Sequence, residues 1–254
     1  MNLIHSEKHL FSTTNLLELL FISSTLFMVL PILVFITMFS HEGGHGIIVV
    51  PAIILNREIP EVPTESLQEN PFRNFPLGIF SLLLAFPLGI VANGILSYLS
   101  IKNAQKYRNG ESKKGLFLLS VFIGFCILNL GGILTNFFGQ DFSFIIQDIL
   151  KIPSNEQWFK YLLRIITYIG FPLFLVIKYR FKIDQMLVIS GTTYLGYIAV
   201  VEMIVPHIAP ILMANFWWLF IIGLLVLIST ITILIKNIEL RVKKSENSLS
   251  SGLS

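Results

Sequence analysis

Charge is scarce in this sequence. Asp, Glu, Lys and Arg make up 13% of its 254 residues, about half the share that soluble domains carry. So few charges do not cover a surface wetted on all sides, which excludes an ordinary soluble domain. Cysteine is scarcer still: Cys126 stands alone in an apolar run, so there is no intramolecular disulfide and no cysteine-based zinc site, and the residue reads as a small buried hydrophobe. The N-terminus lacks the basic start, short apolar core and small-residue cleavage site of a signal peptide. The first apolar segment is therefore expected to stay in the mature chain.

What fills the sequence is hydrocarbon. Hydrophobic residues make up 54% of it, with 22 Phe, and the mean hydropathy is +0.76. The expected fold is all-α, a polytopic transmembrane helical bundle of about six spans, in a lipid bilayer and with no nucleic acid as partner. The net charge of +3 says little, because where the charges fall matters more than their sum.

From Phe11 to Leu55 the only charged or histidine side chains are Glu18, His41, Glu42 and His45. That is more than the roughly 20 residues one span needs. With no turn chemistry inside it, the stretch reads as one helix kinked at Pro31 rather than as two spans. A Pro-rich acidic loop follows, and then spans at Phe75–Ile101, Leu116–Phe138, Trp158–Ile177, Gln185–Val205 and Phe216–Ile235. The second span carries Phe-Pro-Leu-Gly-Ile twice, at 75–79 and 86–90, which reads as kink and packing chemistry. Its Asn93 can bond another helix or reach a site on one. Phe142–Ile152 is too short to span and reads as interfacial. Residues 241–254, basic and then Ser-rich, read as a disordered tail.

Lysines and arginines collect in alternate connections: Lys102, Lys106, Arg108, Lys113 and Lys114; then Lys178, Arg180 and Lys182; then Lys236, Arg241, Lys243 and Lys244. Six spans with both termini in the cytoplasm place all of them inside. That topology puts the end of the first helix, Asp141, Glu202 and His207 toward the outer side.

The chemistry concentrates in His41-Glu42-Gly43-Gly44-His45. Two histidines four positions apart share one helical face, close enough for both rings to reach one zinc ion. Glu42, on the flank of that face, can take a proton from a water at the metal and later return it. Ionisable groups at membrane depth cost at least ~2.5 kcal/mol each on insertion scales, and three within five residues point to function rather than to a satisfied polar patch. A catalytic zinc takes three protein ligands and an open position. Asp141, Glu202 and His207 remain as candidates for the third, since His5 and His9 lie in the N-terminal segment. Gly43, Gly44 and Gly46, costly in a helix, let another helix approach, leave room for a substrate backbone, or do both.

His41-Glu42-Gly43-Gly44-His45 in an apolar helix resembles the site-2 protease family of intramembrane zinc metalloproteases. The resemblance implies zinc ligation by His41 and His45, Glu42 as general base, Asp141 as third ligand, and Asn136 as the substrate-contacting asparagine that precedes it. The family's second motif carries a proline between these two and a glycine after the aspartate; here no proline intervenes and Phe142 follows. Residues 1–240 are then expected to form one integral-membrane metalloprotease-like domain. It would sit in the cell membrane of a prokaryote and cleave a membrane protein or peptide. Glu202 keeps a competing claim, because a glutamate from a later helix completes the site in another class of zinc protease with the same first motif. The alternative function is a transporter or ion-binding protein that uses the cluster without hydrolysis, or a non-proteolytic scaffold.

Overall fold

A computed structural model describes residues 14–56, 78–108, 112–139, 157–214 and 216–251, and among them the chain is helical with no strand. Helix α1 is a single run, Leu16–Asn56, with Pro31 and Pro51 inside it. Each proline removes one backbone hydrogen bond and crowds the preceding turn. The helix continues through both, because in an apolar medium a bend costs less than a turn full of unpaired backbone groups.

Helix α2, Gly78–Ala104, passes into a 3-10 turn at Gln105–Tyr107, and α3 is Lys113–Gly139. The next span is α4, Gln157–Ile165, a π-helical turn at Ile166–Gly170, and α5, Phe171–Tyr179. It stops at Arg180, which takes the left-handed conformation (φ 59°) and donates its N–H to the Val176 carbonyl at 3.0 Å. Then come α6, Ile183–Met203, α7, Val205–Ala214, and α8, Phe216–Ser251.

Among the described residues, five stretches are long and apolar enough to cross a membrane: Leu16–Pro51, Lys113–Leu134, Tyr161–Tyr179, Ile183–Ile208 and Trp218–Leu240. Helix α2, 27 residues whose only charge is Lys102, stands where the second span is expected. The protein is an all-α polytopic membrane bundle.

The last helix departs from expectation. It continues to Ser251, through most of the stretch read as a disordered tail. Residues 238–244 are largely good helix formers, and extending an existing helix needs no new nucleus.

Helix α1 is the hub and packs against α2, α3, α6 and α8. Ile22, Leu26 and Leu30 are fully buried along it. Leu26 lodges against Gly124 of α3 and Leu30 against Gly196 of α6, where an added Cβ would stand 2.9 Å from each leucine. Ser23 and Thr192 join hydroxyls at 2.9 Å across the same seam.

One end of the bundle is tied by polar contacts. The Thr14 N–H donates to Asp184, Asn103 Nδ2 to the Leu234 carbonyl at 3.1 Å, and the Arg108 guanidinium to the Tyr179 carbonyl at 3.3 Å. The start of α1 thus lies at the same end as the basic connections after α2 and α5, as a single first span requires.

Two glycines make a matched pair for a stability test. A Cβ on Gly43 would strike the backbone of Gly223 in α8 and come 2.7 Å from the Leu224 nitrogen. Gly191 of α6 has nothing within 4 Å. Gly43→Ala is expected to destabilise the bundle by about 1–3 kcal/mol, as overpacking against rigid backbone does. Gly191→Ala is expected to be neutral or stabilising by up to about 1 kcal/mol. Thermal denaturation in micelles separates the two.

Candidate metal centre

His41 and His45 follow one another by a turn on α1, and both are buried, at 6% and 2% exposure. Their Nε2 atoms converge to 3.2 Å, with the rings edge to face at 86° and centroids 4.7 Å apart. Two nitrogens each about 2.05 Å from one tetrahedral zinc stand about 3.3 Å apart. The separation is that of two ligands of one zinc and equally that of one N–H···N hydrogen bond between the rings.

The neighbours explain why the rings are held this way. Helix α2 approaches so closely that a Cβ on Gly89 would lie 2.7 Å from Cε1 of both imidazoles and 2.8 Å from His45 Nε2. The closeness is possible because Gly44 lies directly on the backbone of Leu88 and Gly89. On the opposite side, Gly43 meets Gly223 and Gly46 meets the Phe220 carbonyl of α8. The motif glycines thus pack two helices tightly against α1. The space at Gly43 and Gly44 is taken up by protein backbone, so of the two readings of these residues close packing applies, and a substrate backbone would have to approach elsewhere.

From α2, Asn93 Nδ2 stands 3.2 Å from His41 Nδ1, one turn after Gly89 on the same helical face. Asn93 itself lies against Gly132 of α3, where an added Cβ would be 2.8 Å from Nδ2. Nearby, Asn129 Nδ2 approaches the Thr37 hydroxyl at 3.4 Å and bonds the Phe125 carbonyl at 2.8 Å. Asn93 Oδ1, Asn129 Oδ1 and the Ser40 hydroxyl are buried without a hydrogen-bond partner among the described residues. A polar seam thus runs between α1, α2 and α3 inside an apolar bundle, and desolvating such groups unpaired is costly.

Depth follows from the helical register. Asn93 precedes Lys102 by nine positions and Gly223 precedes Leu234 by eleven, about 14–16 Å of helix. That is near half of an apolar core about 30 Å thick. Helix α1 continues from His45 to Asn56. The imidazoles therefore lie well inside the bundle, about three turns before the end of α1.

The other candidates divide. Glu42 is half-buried. Among the described residues no group of three or more His, Cys, Asp or Glu side chains gathers where one ion could be held, so Glu42 does not close on the pair as a third donor. Glu202, near the end of α6, and His207, on α7, are exposed and do not join the histidines either. Asp141 lies outside the described residues, as does 142–152, and Asn136 falls in the last turns of α3.

Gly89 is the site residue that sequence reasoning did not assign, having treated the Phe-Pro-Leu-Gly-Ile repeat as packing. The signal that could have found it is the one-turn spacing between Gly89 and Asn93, which puts a bare patch and an amide on one helical face. Comparison with protein-family models, with curated proteins and with solved structures finds no match to this chain.

Proposed function

We propose that the protein is an intramembrane zinc metalloendopeptidase that hydrolyses a peptide bond in or beside a transmembrane segment of a membrane protein, in the cell membrane of a prokaryote. The observation that carries the reading is the 3.2 Å convergence of two buried imidazole nitrogens inside an apolar bundle, a donor set that fits zinc. His41 and His45 would hold the metal, with Asp141 the favoured third ligand. Zinc bound there supplies Lewis-acid polarisation of a carbonyl and lowers the pKa of water to near ~7.

The chain's own residues do the rest. Glu42 takes a proton from the attacking water as its oxygen adds to the scissile carbonyl carbon. It then delivers that proton to the departing nitrogen as the C–N bond breaks, leaving a carboxylate and an amine. Gly89 and Asn93 hold the His41 ring in place. A substrate helix must unwind locally first, because its carbonyls are hydrogen-bonded while it stays helical in lipid.

The test is zinc content and cleavage of a transmembrane peptide by the purified chain in micelles. One zinc per chain is expected, with cleavage lost on chelation and restored by added zinc. Asp141→Ala is expected to lose the metal while Glu202→Ala keeps it; the reverse result transfers the third ligand to Glu202. Cleavage that survives complete metal removal would overturn the proposal, and a zinc-loaded chain that moves cations but cuts nothing would replace it with the ion-binding alternative.

A further inference from the structure

We infer that Asn93 is a positioning residue for the metal centre: its side-chain carbonyl is the acceptor that holds the proton of His41 on Nδ1 and leaves Nε2 free to ligate. The inference rests on the zinc reading and deepens it.

An imidazole has one lone pair to give a metal, and the opposite ring nitrogen then carries the proton. With Nε2 of His41 as the metal ligand, the proton belongs on Nδ1. That nitrogen faces the Asn93 carboxamide at 3.2 Å. In the recorded orientation the amide nitrogen meets Nδ1, and Oδ1, in a fully buried residue, is left without a partner among the described residues. A half-turn of the carboxamide exchanges nitrogen and oxygen with almost no change of shape, and such amide orientations are assigned from the hydrogen-bond network. Turned so, Oδ1 accepts the Nδ1 proton, and Nδ2 takes the place that Oδ1 held. Metal-bound histidines are oriented in this manner by an acceptor on the far nitrogen, and losing it typically weakens metal affinity about 10–100-fold.

Three features hold the amide at its post. Helix α2 is held against α1 by the contact of Gly44 with Leu88 and Gly89, Gly132 of α3 leaves room for the carboxamide, and Asn93 is fully buried. The side chain cannot swing to solvent, so its remaining freedom is the half-turn that the argument needs.

The experiment compares Asn93→Leu with Asn93→Asp in the full-length protein in micelles. The first keeps the branched shape and removes the acceptor; the second keeps an acceptor oxygen at the same place. Zinc affinity is read by competition with a chromophoric chelator, alongside the thermal midpoint of the metal-free protein. Asn93→Leu is expected to weaken zinc binding about 10–100-fold, while Asn93→Asp stays within about threefold of the unsubstituted protein. The midpoints of the metal-free variants are not expected to track this difference. Unchanged affinity in Asn93→Leu overturns the inference and leaves the zinc site standing, as does equal weakening in both variants, which assigns Asn93 to packing. An unsubstituted chain that takes up no zinc overturns the metal centre, and the inference with it.

Discussion

Glu42→Gln is expected to keep one zinc per chain and to lower peptide-bond cleavage by about 10²–10⁴-fold, the span over which a positioned general base contributes. The substitution keeps the shape of the side chain, so the half-buried position beside the imidazoles is refilled without a cavity. What it removes is the carboxylate, and a neutral carboxamide cannot take the proton of the attacking water. The two measurements part the roles available to this residue. Retained zinc with lost cleavage makes Glu42 a base. Lost zinc makes it a ligand, which the absence of any three-membered donor group among the described residues argues against. Unchanged cleavage with zinc in place would sink the hydrolytic mechanism, which assigns the proton transfer to Glu42.

Gly89→Ala is expected to cost at least about a hundredfold in zinc affinity, the scale of effect that a misplacement of about 1 Å has on a preorganised site. Its Cβ would stand 2.7 Å from Cε1 of both His41 and His45, and 2.8 Å from His45 Nε2. Real contacts of this kind need close to 3.5 Å or more, so the rings or the whole of α2 must give way. The rings cannot shift along α1 without losing their convergence. Helix α2 cannot retreat without opening its contact with Gly44 and drawing Asn93 away from Nδ1. Either movement breaks the centre, while the leucine-filled core below it stays intact. The chain is therefore expected to remain folded and helical by circular dichroism while its zinc content falls. An alanine variant that binds zinc as the unsubstituted protein does would overturn this role of Gly89.

The glycines of the motif show how one residue type can be legible locally and ambiguous globally. Three glycines in Gly43-Gly44-His45-Gly46 signal that something comes close to α1, and the sequence offers a neighbouring helix or a substrate. Only the positions of Gly223, Leu88 and Phe220 distinguish the two, and these lie far away in the chain. Asn93 behaves similarly. A buried asparagine in a membrane helix needs a partner, but which partner depends on the rotation of α2 about its axis. The tail follows a different rule: its composition matches disorder, yet a helix that is already nucleated by the apolar run from Phe216 extends through it at little cost.

Two properties were decided by local chain geometry and composition. A run of hydrocarbon with so few charges can be stable only as helices in lipid, because every backbone group must be bonded within its own segment. Histidines four apart in such a helix share a face whatever surrounds them. Both follow from short-range rules, so both could be read residue by residue. The tertiary structure decided the rest: the 3.2 Å bite of the imidazoles, the glycine that presses on them, the amide behind His41, and the depth of the pair within the bundle. These depend on the rotation, tilt and register of helices against one another. In lipid those are set by small-residue packing between distant parts of the chain, of which a spacing within one helix, such as Gly89 to Asn93, shows only one side.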